Sequence, residues 1–123
     1  MAAHADLWGE IAPSTVRMPV SILREQASLL GAKTNHVIEG KVETWISENK
    51  FYHSFKFVVP ALDNYSYELF QIIHGVNPYP VRPREPLAFD IENEEAFLSW
   101  LGQRLSSSET KRIIGNLLAQ ANR

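Results

Sequence analysis

The chain has 123 residues, no cysteine, a formal net charge of −2 and 45% hydrophobic residues. This length suits one domain with one core, and the lack of cysteine excludes disulfides, thiolate metal ligands and a cysteine nucleophile. A general nucleic-acid binder would need a basic excess, because phosphate contacts supply most of its affinity, so we expect no nucleic-acid partner. No run approaches the ~20 apolar residues that span a bilayer, and the first residues lack the pattern of a secretory signal. We therefore expect no membrane partner and a cytoplasmic location.

The first part of the chain divides into an arm and a helix. Residues 1–18 are small, mixed and weakly periodic, which predicts a loosely ordered N-terminal arm with at most one helical turn, at residues 6–11. Residues 19–123 are assigned to a single α+β domain. Its first helix is predicted to begin at Pro19, a residue favoured at the first helical position, and to end at Gly31, which suits the left-handed residue after a helix.

Three strands are predicted next, because β-branched and aromatic residues alternate between turn residues over 36–74. A loop at 47–50 would set Thr44 opposite His53, and a two-residue loop at Asp63 and Asn64 would set His53 opposite His74. With these two loops, both hairpins place apolar residues on one common face of the sheet: Ile38, Val42, Ile46, Phe51, Phe55, Phe57, Val59, Phe70 and Ile72.

The last third of the sequence predicts a crossover and two helices. Four prolines between residues 78 and 86 favour a stiff extended segment, and the stretch at 87–93 predicts a short fourth strand. Asn93 is a suitable N-cap for one helix, and Ser106 with Glu109 has the capping-box spacing for the next. The predicted fold class is α+β: an antiparallel β-meander of three to four strands with three helices packed mainly on one face.

The histidines of the meander form the first candidate site. Cross-strand neighbours His53 and His74, with Thr44 beside them, are candidate ligands for a small molecule or a metal ion, or candidate acid–base groups. A metal would require a third donor from His4 or from the proline segment. The alternative is that both rings close the end of a half-buried face and bond to backbone or water.

The opposite face of the meander forms the second candidate. Trp45 is predicted to stand opposite Tyr52, and apolar residues on the third strand extend this aromatic pair. Either the arm or a helix covers such a half-apolar face, or a partner binds it. The predicted partner-binding residues are Trp45, Tyr52, Leu69, Ile73, Lys41 and Lys56.

The function is predicted from the half-apolar sheet face and from the catalytic motifs that the sequence lacks. The phosphate-binding, nucleophile-elbow and zinc-protease motifs do not occur in the sequence, so we predict no catalytic residue and no cofactor. The leading hypothesis is a small non-enzymatic protein–protein interaction module: an immunity- or antitoxin-like protein, an adaptor, or an assembling subunit that forms a homo-oligomer. The alternative is a small-molecule-binding or metal-binding protein, or an enzyme, with its site at His53 and His74.

Overall fold

The fold is given by a computed structural model that describes residues 5–122. Its elements are helices α1 (Pro19–Lys33), α2 (Glu94–Leu105) and α3 (Ser108–Ala121), strands β1 (Glu39–Ser47), β2 (Lys50–Val59), β3 (Tyr65–His74) and β4 (Arg82–Pro83), and a 3₁₀ turn (Pro60–Leu62). The strands form one antiparallel sheet in the order β1-β2-β3-β4. The predicted α+β class, with an antiparallel meander of up to four strands, is therefore confirmed. Within residues 5–122, no helix is long and apolar enough to cross a membrane.

The fourth strand differs in position from the prediction. Strand β4 lies inside the proline-rich segment, where it pairs with β3 through Ile72 and Ile73. Residues 87–93 contribute only one isolated bridge, between Ile91 and Val81. The prolines thus shorten the fourth strand to two residues rather than excluding it, since an edge position leaves their missing N–H groups without consequence.

The first hairpin has the predicted register. Thr44 pairs with His53, Trp45 with Tyr52 and Gly40 with Phe57. Its turn consists of Glu48 and Asn49, both with positive φ, at 50° and 65°. Two consecutive residues of positive φ match the twist of flanking strands, so this short turn fixes the register.

The second hairpin differs from the predicted register by two residues as far as Phe55 and by three residues nearer the turn. Residues 60–64 connect the strands, because Pro60–Leu62 forms a 3₁₀ turn ahead of the left-handed Asp63 and Asn64. His53 therefore pairs with Ile72, and His74 pairs with Phe51. A register irregularity after Phe55 leaves Leu69 without a cross-strand partner. As far as Phe55 the shift is two residues, which keeps each side chain on its predicted face. Between the irregularity and the turn the shift is three residues, and this moves Leu69 from the predicted partner-binding face into the core.

All three helices contribute to a core on one side of the sheet, which we call the Phe55 face. Its buried centre contains Phe55 and Phe57 from β2, and Phe97 from α2. α1 packs closely on β1, because a Cβ on Gly40 would lie 2.5 Å from the Ala27 Cα. Ile46, predicted to face this core, is instead 67% exposed, since the end of the first hairpin extends beyond the helices.

The helix ends confirm one predicted cap and correct two other features. Asn93 caps α2, accepting a hydrogen bond from the Ala96 N–H at 2.8 Å. α3 is capped by Ser107 instead of Ser106, and the Ser107 hydroxyl accepts from the Thr110 N–H at 3.1 Å. α1 continues two residues past Gly31, and the left-handed conformation falls on Asn35 and on the residue after it.

Candidate functional site

The two histidines of the predicted site are in direct contact. Their Nε2 atoms lie 2.9 Å apart, and the rings stack with centroids 5.0 Å apart. The side chains reach each other diagonally, because His53 and His74 are not paired across the strands. On the other side of the His53 ring, Nδ1 lies 2.8 Å from the Thr44 hydroxyl. The predicted group of three residues is thus brought together through a different register.

The hydrogen bonds determine which ring nitrogens carry protons when both rings are neutral. His74 Nδ1 lies 2.8 Å from the Gly75 carbonyl, which can only accept, so this nitrogen carries a proton. His74 Nε2 is then an acceptor, and His53 must donate from its own Nε2. His53 Nδ1 in turn accepts from the Thr44 hydroxyl. The result is one directed chain from Thr44 through both rings to Gly75.

Burial keeps His53 uncharged. Only 3% of its surface is exposed. Burial in the core, then the neighbouring His74 and the Arg24 guanidinium, lower the pKa of His53 from 6.5 to about 4. An uncharged His53 shares a single proton with His74 across the 2.9 Å contact between the two Nε2 atoms.

The same hydrogen bonds limit what the pair can bind. All four ring nitrogens have partners inside the chain, so a metal ion could coordinate only after a ring turned away from its partner. Among residues 5–122, no three histidine, aspartate or glutamate side chains cluster closely enough to hold a metal ion. His4, the suggested third ligand, lies outside the described residues.

The reverse side of the sheet, which we call the Trp45 face, carries a three-layer stack. The Trp45 and Tyr52 rings stack with centroids 5.5 Å apart and planes 11° from parallel. The Arg84 guanidinium lies over the Tyr52 ring, 5.3 Å from its centroid. Arg84 is held there by its backbone N–H and its side chain, which donate to the Gln71 carbonyl at 2.9 Å and to the Gln71 amide oxygen at 2.6 Å.

A polar network surrounds this stack. Lys56 forms an ion pair with Glu43, and this hydrogen bond lowers the pKa of Glu43 and raises the pKa of Lys56. Glu68 accepts from the Ser54 hydroxyl at 2.6 Å and from the Gln71 amide at 2.8 Å. Burial would raise the pKa of Glu68, but these two hydrogen bonds and the positive charges of Lys56 and Arg84 together lower it. The Trp45 face is thus an ordered surface of fixed charges around two aromatic rings.

The predicted partner-binding residues are not all equally accessible. Trp45 is 39% exposed and Lys41 is exposed, whereas Tyr52, Lys56 and Ile73 are half-buried. Leu69 is 8% exposed and belongs to the buried core. It therefore offers little contact surface, and the irregularity beside it is the reason that alternation misplaced it.

Two further features of this region were not predicted. Arg84 completes the aromatic stack from the proline-rich segment, and only a three-dimensional contact reveals this. The arm, one of the predicted covers for this face, contains no helical turn in residues 5–18. Its Leu7 and Trp8 side chains are 89% and 81% exposed, so they do not cover Trp45.

Comparisons with known proteins leave the geometry as the basis for a functional assignment. No protein-family model matches the chain, and no curated protein or solved structure matches it either.

Proposed function

We propose that this chain is a non-enzymatic protein–protein interaction module, and that its β1 edge and Trp45 face bind an extended segment of a partner protein. An immunity- or antitoxin-like protein, an adaptor and an assembling subunit all fall within this class. The cytoplasmic location predicted from the sequence is part of the proposal. The observation that carries it is the exposed Trp45, which lies on the outermost strand with its hydrogen-bonding edge open.

The two edges of the sheet are unequal. β4 has only two residues, one of them Pro83, and a short edge with proline resists the addition of another strand. β1 has nine residues and pairs only with β2. The N–H and C=O groups along its outer side are available to a partner strand, which is the usual mode of recognition by strand addition.

The exposed end of β1 also offers side-chain contacts. Trp45 and Ile46 are 39% and 67% exposed on opposite sides of the strand, so an added strand could pack against both. The stack to which Trp45 belongs combines tryptophan, tyrosine and arginine, the residues most enriched at binding hot spots. Lys41 and Glu43 lie 3.9 Å apart at the rim and present charges of both signs, which favours a protein surface over a polyanion.

The histidine site supports the alternative function less well. A small-molecule, metal or catalytic site requires a ring nitrogen that faces a ligand, and the ring nitrogens of His53 and His74 are all engaged within the chain. The Trp45 face, in contrast, already presents an exposed aromatic ring beside the open edge of β1. The interaction module is therefore the function that the geometry supports best.

The experiment is a photo-crosslinking and affinity test in cells of the native host. A photoreactive phenylalanine analogue at position 45 should form an adduct with a specific protein, whereas the same analogue at exposed position 116 on α3 should not. The partner would then be purified and titrated with wild-type protein and with the double variant W45A/Y52A. We expect the affinity of the double variant to fall by at least about tenfold.

A matched control comes from the other end of the sheet. Tyr65 is an aromatic residue at the start of β3 and is 46% exposed, so Y65A should leave the affinity within about twofold of wild type. Equal affinity of W45A/Y52A and wild type for the crosslinked partner would refute the proposal. So would equal crosslinking from positions 45 and 116.

A further inference from the structure

An apolar groove lies between α1 and α3, on the side of the molecule that carries the helices. Its volume is about 360 Å³, within the range of sites that bury a ligand. Its walls are mostly apolar and come from the second half of α1, the end of α2 and the first half of α3. The residues that matter here are Leu29, Leu30, Lys33, Leu105, Lys111 and Ile114.

The groove has an exposed apolar wall and a basic rim. Leu29 on α1 is 51% exposed and forms this wall. Lys33 is the last residue of α1, and Lys111 lies in the first turn of α3. Within residues 5–122, neither lysine belongs to an ion pair. A fitting occupant therefore combines apolar side chains with negative charge.

The N-terminal arm has this composition. Leu7, Trp8 and Ile11 are 89%, 81% and 76% exposed, and no other stretch of the described chain exposes three such large apolar residues within five positions. Two carboxylates accompany them: Asp6 comes just before Leu7, and Glu10 lies between Trp8 and Ile11. The Asp6 carboxylate accepts the Trp8 N–H at 3.0 Å, which fixes a local turn and lowers the entropy cost of docking.

We infer that the arm of one copy docks in the α1–α3 groove of a second copy, with Trp8 and its apolar neighbours against Leu29 and the carboxylates of Asp6 and Glu10 facing Lys33 and Lys111. Each chain has one such arm and one such groove. Reciprocal exchange therefore closes into a twofold dimer with no arm left over.

A second copy fits better than the chain's own arm. Arg17 pairs with Glu25 on α1 and lies 3.9 Å from Glu94 at the start of α2, so it fixes the base of the arm at one end of α1. The groove lies along residues 26–33, toward the other end of the same helix. Docking within one chain would require the arm to reverse direction beside this ion pair. In the single chain the arm remains outside the groove, as the exposure of Trp8 demonstrates.

A charge-swap experiment on the full chain tests this inference. The arm variant D6K/E10K should not pair with itself, because its basic arm meets a basic groove, and the groove variant K33E/K111E should not pair with itself either. A mixture of the two variants matches both contacts and should restore the dimer. Sedimentation equilibrium would measure the mass of wild-type protein, of each variant alone and of the mixture.

The expected result is a dimer for wild type and for the mixture, with at least about tenfold weaker association of each variant alone. Monomeric wild-type protein at all concentrations would overturn the inference, as would a dimer that neither charge variant weakens. If the arm docked within its own chain, the mixture would stay monomeric, which also overturns it. L29K provides a second test, since this exposed position should tolerate lysine without loss of folding, and the dimer should weaken.

The result is separable from the function proposed above. W45A/Y52A changes the opposite side of the sheet and should leave this dimer intact. Conversely, D6K/E10K should weaken the dimer and leave capture of the crosslinked partner unchanged, so either proposal can fail while the other holds.

Discussion

The Nε2 atoms of His53 and His74 lie 2.9 Å apart, and this contact requires the two rings to be different tautomers. The Gly75 carbonyl fixes the proton of His74 on Nδ1, and the Thr44 hydroxyl donates to His53 Nδ1. Two buried imidazole rings, one hydroxyl and one carbonyl thereby satisfy one another without a net charge. This arrangement makes the stability of the domain sensitive to protonation.

We predict that the free energy of unfolding falls as the pH decreases from about 7 to about 5. The pKa of His53 is about 4 in the folded chain, against a model-peptide value near 6.5 when unfolded. The unfolded state therefore binds more protons between these values, and stability present above pH ~6.5 is lost as the pH falls toward 4. Linkage gives a loss of about 2 kcal/mol by pH 5, measurable by urea unfolding.

A variant without the titrating group separates His53 from other causes. H53F should be less stable than wild type at pH 7, because it leaves His74 Nε2 without its donor, but its stability should change much less with pH. F55L is the control, since Phe55 is buried and has no titrating group, so this variant should lose stability at pH 7 but keep the pH dependence of wild type. An equally steep loss in H53F would assign the effect to another group.

The contact between α1 and β1 makes Gly40 intolerant of any side chain. A Cβ at this position would lie 2.5 Å from Ala27 Cα and 2.7 Å from Ala27 Cβ, so the helix would have to move. We predict that G40A destabilises the domain by roughly 2–4 kcal/mol. G115A is the matched control, because a Cβ there meets nothing within 4 Å and alanine favours a helix by up to ~1 kcal/mol. Thermal unfolding would compare both, and a wild-type melting temperature for G40A would contradict the close packing.

How far the sequence predicts this fold depends on whether local or distant contacts set each feature. The first hairpin was predicted correctly because its two-residue turn at Glu48 and Asn49 and the alternation of side chains agree. The second was misaligned because the turn at Pro60–Leu62 and the irregularity beside Leu69 depend on tertiary packing, which alternation does not encode. The fold class was still predicted correctly, because the shift of two residues as far as Phe55 keeps the predicted core residues of this hairpin on one face.

The candidate sites were predictable to different degrees. The stacked Trp45 and Tyr52 followed directly from the correct first register. The contact of His53 with His74 was predicted from a wrong pairing. It forms nevertheless, because two long side chains that are offset by two residues on neighbouring strands can reach each other diagonally. Arg84 could not be predicted as part of the stack, because an irregular segment carries it there from beyond the third strand.

The corrected start of α3 gives a prediction that distinguishes two neighbouring serines. Ser107 accepts the Thr110 N–H at 3.1 Å, so S107A should cost about 1 kcal/mol, the usual loss for an N-cap. Ser106 only donates to the Gly102 carbonyl at the exposed end of α2, so S106A should change the free energy of unfolding by less than about 0.5 kcal/mol. Urea unfolding of both variants decides, and a larger effect at position 106 would restore the capping box predicted from the sequence.

Arg104 links α2 to the sheet and to the crossover segment, and lysine should not replace it. Its guanidinium donates to Glu85 at 2.7 Å and to the Leu69 carbonyl at 3.0 Å, and it lies 6.0 Å from the centroid of the Phe70 ring. A lysine keeps the charge but lacks the planar fork that serves three partners at once, so R104K should cost about 1–2 kcal/mol. R112K makes the same change at an exposed site on α3 and should stay within about 0.5 kcal/mol of wild type. Denaturant unfolding of the two variants side by side tests this difference, and equal stabilities would mean that the charge alone, and not the fork, fixes α2 against β3.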